Sequence, residues 1–249
     1  MPATPAWPPR SAPRLFVEDE LAQGRTLAVE GNQAHYLGKV MRMTEGDTVI
    51  LCDDITGEWA ARIAAAGKRR VDLVIVECLR PREDVPDFWL CPALLKKDRF
   101  DLVLEKATEL GVAAIHPVVT RRCVADKLNA DRARTIATEA AEQCARTALP
   151  RIDTPQKLDA MLANWPSDRA LFFADELGGA PAADAYRAHT GPAALLVGPE
   201  GGFDDAEREA IRGHPQAQAV TLGPRILRGE TAAIAATSLW MGVTGDWNK

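Results

Sequence analysis

A chain of 249 residues, 47% hydrophobic and 26% charged, has enough apolar material for one large domain or two unequal ones. It contains no uncharged apolar run of about 18 residues, which excludes a membrane-spanning helix. Its net charge of −5 argues against a uniformly basic nucleic-acid binder.

Distribution matters more than the sum. Residues 81–150 carry 11 basic and 11 acidic side chains, whereas 151–249 carry 9 and 13, so a local basic patch fits best within the first 150 positions. The five cysteines, Cys52, Cys78, Cys91, Cys123 and Cys144, form no CxxC, and the four histidines show no ligand spacing. That pattern fits a reduced cytoplasmic protein without a structural metal. The opening MPATPAWPPRSAPRLF lacks the apolar core of a signal peptide, and residues 1–13 are expected to form a disordered lead-in.

Short β patterns come first: RLFV (14–17), TLAV (26–29), TVILCD (48–53), EWAARI (58–63) and VDLVIVECL (71–79). One helical stretch, GNQAHYLGKVMRM (31–43), interrupts them, with Ala34, Leu37 and Met41 at helical spacing. Many strands with one helix predict a small β-barrel over 1–80.

From 81 onward the pattern changes to alternating strands and helices. FWLCPAL (88–94) leads into DRFDLVLEKATEL (98–110), closed by Gly111 where a C′ glycine belongs. AIHPVVT (114–120) reads as a strand with Pro117 at an edge or bulge. A long helix covers 131–147, and another covers QKLDAMLANW. Strand RALFFAD (169–175), a helix near 181–189, strand AALLVGP (193–199), helix DDAEREAIRGH, strand AVTLG (219–223) and a helix from about Glu230 follow. Such alternation specifies a mostly parallel α/β sheet over 81–249.

Two strand ends carry unusual turns. LLVGPEGGFDDAEREAI (195–211) passes from strand to helix through Gly198, Pro199, Glu200, Gly201 and Gly202. It is not GxGxxG, since Glu200 and Phe203 stand where glycines would be needed, and no Lys-Ser/Thr follows as in a P-loop. Asp204 and Glu207 form a capping-box pattern that occupies helix amides and makes this terminus acidic, which disfavours a phosphate. A neutral or cationic ligand clasped by bare backbone fits better; a plain tight turn needing positive φ is the competing explanation. The second turn, in VTLGPRILRGETAAIAATSLW (220–240), places Arg225 and Arg228 before Glu230. Matched Gly-Pro turns, one acidic and one basic, suggest a shared cleft at the carboxyl ends of the strands.

LLVGPEGGF together with LGPRILRGETAAIAA closely resembles the paired signatures of RsmE-type 16S rRNA uracil-N3 methyltransferases of the SPOUT superfamily. The likeness extends through HYLGKVMRMTEGD (35–47), KKDRFDLVLEKATELGV (96–112), TRRCV (120–124) and AEQCAR (141–146). It implies a PUA-like β-barrel (1–80), then a SPOUT α/β domain (81–249) whose sheet is tied in a trefoil knot. It implies S-adenosyl-L-methionine as methyl donor, 16S rRNA within the small ribosomal subunit as substrate, and a homodimer. It also implies three cofactor loops: the one after Phe172-Phe173, the turn continuing from Leu196 through Gly198–Gly202, and the stretch Leu222, Gly223, Ile226 and Leu227, whose apolar members would wall the adenine. Glu105, Gly229 and the acidic DELGGA loop (175–180) depart from the usual pattern.

Methylation at uracil N3 requires that nitrogen to lose a proton, so the chain must orient the reactants and stabilise negative charge on O2 and O4. Arg228 or Arg225 is the candidate for the oxygens and Glu230 for the proton. The competing explanation of Glu230, a helix N-terminal carboxylate complementing the dipole, carries somewhat more weight in the sequence alone. The base must be unpaired or flipped. Phosphate contacts are expected from Arg14, Lys39 and Arg42 on the barrel, and from Lys96, Lys97, Arg99, Arg121 and Arg122 beyond it. Alternatives are a SPOUT enzyme for another RNA site, a non-catalytic assembly factor, and, disfavoured by the failed GxGxxG test, a dinucleotide oxidoreductase.

Overall fold

The computed structural model describes residues 7–9 and 11–247. Residues 1–6 and 10 of the expected lead-in lie outside the described residues. Within that stretch Trp7 lies 4.5 Å from the Arg62 guanidinium, and the Pro13 carbonyl accepts from the Ile50 N–H at 2.9 Å.

The chain divides into two compact units, residues up to Asp84 with Ala141–Ala148, and Val85–Ala140 with the remainder. In the first, β1 (Arg14–Phe16) and β2 (Thr26–Glu30) precede α1 (Gly31–His35), which runs into a π-helical turn, Tyr36–Val40. The expected helix over 31–43 therefore ends early, at Arg42 with φ 55°. The strands β3 (Thr48–Cys52), β4 (Gly57–Ala66) and β5 (Arg70–Pro81) complete a five-stranded sheet in the order β1-β3-β4-β5-β2. Register shifts along β4 and β5 mark bulges that bend the pair. Gly57, at φ 116°, allows their close start: a Cβ there would lie 2.3 Å from the Arg80 carbonyl oxygen. The sheet closes on a core that includes Leu37, Val49, Leu51, Ile63, Leu73 and Ile75.

In the second unit β6 (Phe88–Pro92) leads to α2 (Lys97–Glu109), which ends at Gly111 with φ 88°, the left-handed glycine expected there. The single strand expected at 114–120 is two short ones, β7 (Ala114–Ile115) and β8 (Val118–Val119), because Pro117 lacks the N–H that would continue the ladder. Then come α3 (Ala130–Cys144), β9 (Arg151–Ile152), β10 (Gln156–Lys157), α4 (Leu158–Ala163), β11 (Ala170–Ala174), β12 (Ala180–Pro181), α5 (Ala182–Ala188), β13 (Ala193–Val197), α6 (Asp205–Arg212), β14 (Ala217–Thr221) and α7 (Gly229–Val243). The long helix stops at Cys144 because Ala145 takes a left-handed φ of 62°.

The main sheet has seven strands, β12-β14-β11-β13-β6-β7-β9, all paired in parallel, with β8 and β10 forming a separate parallel pair. Its central strands are apolar throughout because both faces are covered. Phe88, Leu90, Phe172, Leu195 and Val220 point toward α2, α5 and α7, with Phe88 stacked on Trp240 at 4.2 Å. The alternate residues Cys91, Leu171, Phe173, Ala194 and Leu196 meet α4 and α6. Among the described residues no helix is long and apolar enough to cross a membrane.

Candidate active site

Strands β11, β13 and β14 lie side by side in parallel, so their carboxyl ends and following loops converge. There they enclose a cavity of roughly 210 Å³. One wall is the first turn: Val197, Gly198, Pro199, Gly202 and Phe203. The second wall is Leu222, Gly223, Pro224, Arg225, Ile226 and Leu227, with Gly229 and Ala232 from the start of α7. Asp175 and Glu176, after β11, and Arg208 complete it. The two Gly-Pro turns thus share one cleft.

The bare backbone is required by close approach. A Cβ on Gly198 would sit 3.1 Å from the Phe203 ring, and one on Gly229 would sit 3.0 Å from Leu95 and 3.1 Å from the Gly198 carbonyl oxygen. The beginning of α7 therefore rests directly on the glycine turn.

The start of α6 is already occupied. Asp204 accepts from the Glu207 N–H at 2.7 Å, and Glu207 accepts from the Asp204 N–H at 3.0 Å, completing the expected capping box. The other Glu207 oxygen accepts from the Arg121 N–H at 2.7 Å, and the Arg121 guanidinium reaches Asp204 at 2.8 Å. The Glu207 N–H and Arg121 together hold Asp204 below the usual carboxylate range. Arg122 donates to the Gly201 carbonyl at 2.8 Å. Arg121 and Arg122, expected on RNA phosphates, thus brace the turn while remaining exposed. No local pattern announces this role, since their partners lie some eighty positions away along the chain.

Other expected positions move as well. Phe173 and Leu196 do not reach the cavity: in their strands they fall on the face covered by α4 and α6, one step out of phase with the cavity lining. Glu200 and Gly201 sit at the tip of the turn, outside the lining; Glu200 lies 4.0 Å from Arg99. Gly198, Pro199, Leu222, Gly223, Ile226 and Leu227 do line the cavity, although Ile226 is 83% exposed and so stands at its mouth.

Arg99, assigned in sequence to phosphate, donates to both oxygens of Glu230 at 3.1 and 3.4 Å, with Glu230 12% exposed. Arg99 stands in the first turn of α2 and Glu230 in that of α7, so this pair joins two helix N-termini. Arg228, the N-cap residue of α7, and Arg225 are exposed and without a carboxylate partner among the described residues, as are Lys96 and Lys97; of the four, Arg225 lines the cavity. In the first unit Lys39 and Arg42 are exposed and likewise without a carboxylate partner among the described residues. Arg14 is not: it is held by Glu58 at 2.7 Å and donates to the Glu142 carbonyl at 3.2 Å. Its role there is structural, because Glu58 needs two guanidiniums, Arg14 and Arg80, to be buried as an anion.

The loop after β11 holds residues that sequence reading did not select. Asp175 has a fully buried side chain clamped by Arg208 at 3.2 Å and Arg212 at 2.6 Å, while its Oδ1 also accepts from the Leu177 N–H at 3.0 Å. The signal was present as an acidic DELGGA loop facing two arginines at i, i+4 on one helix. Gly179 anchors the loop's exit: a Cβ there would be 2.4 Å from Ala219 backbone atoms.

Comparison with known proteins matches residues 82–241 to an RNA methyltransferase domain and residues 29–76 to an RNA methyltransferase PUA domain. Ribosomal RNA small subunit methyltransferase E of Bacillus subtilis is 30% identical, covering 90% of this chain and 94% of that protein. The enzyme of the same name from Rickettsia conorii is 28% identical, covering 90% of this chain and 92% of that protein. Among solved structures, ribosomal RNA small subunit methyltransferase E from Neisseria gonorrhoeae, bound to S-adenosyl methionine, superposes with a TM-score of 0.87 at 29% identity, covering 95% of this chain and 99% of that one. A Legionella pneumophila protein in complex with the cofactor SAM gives 0.84 at 30% identity, covering 94% of this chain and 99% of that one. With both domain models matched in order and full-length relatives matched nearly end to end, the chain belongs to the ribosomal RNA small subunit methyltransferase E family of RNA methyltransferases.

Proposed function

We propose that this chain methylates N3 of an unpaired or flipped uridine in 16S rRNA, using S-adenosylmethionine. The observation that carries the reading is the single cavity formed by the two Gly-Pro turns in a chain of this family. The residues fit such a donor: the α6 N-terminus is filled by its own capping box, leaving no phosphate cradle, while Leu222 and Leu227 offer apolar walls. When bound, the donor supplies an activated methyl group on a sulfonium.

The chain does the rest. Arg225, which lines the cavity, and Arg228, the N-cap of α7, are exposed, have no carboxylate partner among the described residues, and neutralise charge developing on the uracil oxygens. Glu230 takes the N3 proton, and Arg99 fixes the orientation of its carboxylate. Lys96, Lys97, Lys39 and Arg42 bind phosphate. The protein works as a cytoplasmic homodimer on the small ribosomal subunit, and its C-terminal sheet has the trefoil threading of SPOUT domains.

Incubation with labelled donor and unmodified small subunits, followed by mapping of the label, tests this. Label at one 16S uridine N3 is expected. Label in tRNA, or on a ribose oxygen, would overturn the assignment, and no label despite donor binding would favour a non-catalytic assembly role.

A further inference from the structure

In the first unit, four consecutive residues, Lys39 to Arg42, are all exposed. Two of them are apolar: Val40 is 60% exposed and Met41 39%. Helical spacing would have buried both. Ala34 and Leu37 face the core, and in a regular helix residues 40 and 41 would return to the Leu37 face. Instead the Met41 N–H donates to the Tyr36 carbonyl at 2.9 Å, five residues back, and the Met43 N–H donates to the Leu37 carbonyl at 3.0 Å. This wider turn, ended by Arg42 at φ 55°, leaves Val40 and Met41 outside, while Met43 packs on the core in their place. Arginine is disfavoured at that φ, so local backbone preference is overridden in exposing two apolar side chains.

The flanks identify the partner. Lys39 and Arg42 bracket the apolar pair and have no carboxylate partner among the described residues. Of the acidic residues that follow, Glu45 is exposed, and Asp47 is engaged by the Thr44 N–H at 2.7 Å and hydroxyl at 3.1 Å. The Gly46 N–H donates to the Ile63 carbonyl of β4 at 2.8 Å. From there β4 continues to a hairpin tip where Lys68 and Arg69 are exposed, also without a carboxylate partner among the described residues. A protein surface laid over this patch would strand cations beside a dehydrated apolar centre. A nucleic-acid strand offers both chemistries at once, an apolar base face and a phosphate on either side of it. Inside a duplex that face is covered, so the strand must be unpaired and the base unstacked.

We propose that Val40 and Met41 pack on the face of an unstacked base in the RNA substrate, with Lys39 and Arg42 on the phosphates that flank it. The inference rests on reading this chain as an rRNA methyltransferase, and it adds an apolar contact to the phosphate contacts of the first unit.

The test compares wild type, V40S/M41S and K39A/R42A on a 16S rRNA fragment that carries the target uridine, with a fluorescent base analogue placed in turn at each unpaired position. In the wild-type complex one position should brighten as its base leaves its stacked neighbours. V40S/M41S should lose that signal and bind about tenfold more weakly, with the slope of log K against log salt unchanged because no charge is removed. K39A/R42A should lower the slope. Both replaced apolar side chains are exposed, so V40S/M41S should keep the melting temperature and the affinity for S-adenosylmethionine. Unchanged RNA affinity of V40S/M41S, or a wild-type complex in which no position brightens, would overturn the proposal. A shift of V40S/M41S toward a smaller sedimenting species would overturn it too, making the patch a contact between copies of this chain. A wild-type chain that does not bind the fragment would instead overturn the rRNA reading itself.

Discussion

Arg99 and Glu230 show why residue roles resist reading from a linear string. Both were visible as charged side chains in meaningful segments, yet their pairing spans 131 positions and depends on two helix N-termini meeting. Glycine geometry, by contrast, was legible, because Gly-Pro turns at strand ends are local. The pairing makes a sharp prediction. E230Q should lower kcat about a hundredfold with little change in donor affinity, the usual size of a general-base contribution. R99A should depress kcat by a related mechanism, and the double variant should be no worse than E230Q alone; additive losses in single-turnover assays would mean the two act separately. A second prediction concerns Gly179, whose missing Cβ leaves space for Ala219 backbone atoms. G179A should cost about 1–3 kcal/mol, as overpacking against backbone does, seen as a lower thermal midpoint.

At the scale of elements, strand and helix order in the C-terminal half followed from apolar runs and punctuation, and misreadings trace to identifiable causes. Pro117 divided one expected strand between two sheets, and the left-handed Ala145 ended α3 early without any glycine to announce it. The N-terminus of α6 carries a third prediction. D204A removes both a helix cap and the partner of Arg121, and should destabilise by about 1 kcal/mol. Because Arg121 and Arg122 brace the glycine turn, donor affinity should fall with it; a loss of stability with unchanged affinity would separate the brace from the site.

Acid sensitivity also belongs to individual elements. Burial works against the ionised forms of Glu58 and Asp53, but the hydrogen bonds each accepts outweigh it and hold both below the usual range. Their stabilisation is thus complete above the unfolded carboxylate values of about 4 and is lost as pH falls through the depressed folded values. His116 shifts the other kind of group downward: burial disfavours its cation more than Asp153 favours it. Below about pH 6.5 the unfolded imidazole takes a proton that the folded one resists, so stability declines there too. Thermal melting from pH 7 to about 2 should show a first decline that H116N abolishes and a second, below about pH 4, that it leaves intact.

For the whole molecule, the change from strand-rich to alternating patterns near residue 81 indicated two parts, but net charge said little about where RNA would lie. Only the structure separates Arg14, held by Glu58 within the fold, from cationic side chains left open to solvent. Rising salt should weaken rRNA binding, and K96A/K97A or K39A/R42A should reduce the slope of log K against log salt by about one for each phosphate that goes unneutralised. R14A should leave that slope unchanged while lowering the melting temperature. A slope insensitive to the lysine variants would remove these side chains from the interface.

The make-up of the first unit bears on how the chain matures. It takes in Ala141–Ala148, where Glu142 accepts from the Phe16 N–H and the Thr147 N–H donates to Glu83. These partners are synthesised long after β1 to β5. During translation Phe16 and Glu83 therefore lack these partners until residue 148 emerges from the exit tunnel. Nascent-chain protection should appear in a late step at that length rather than soon after the last of the five strands.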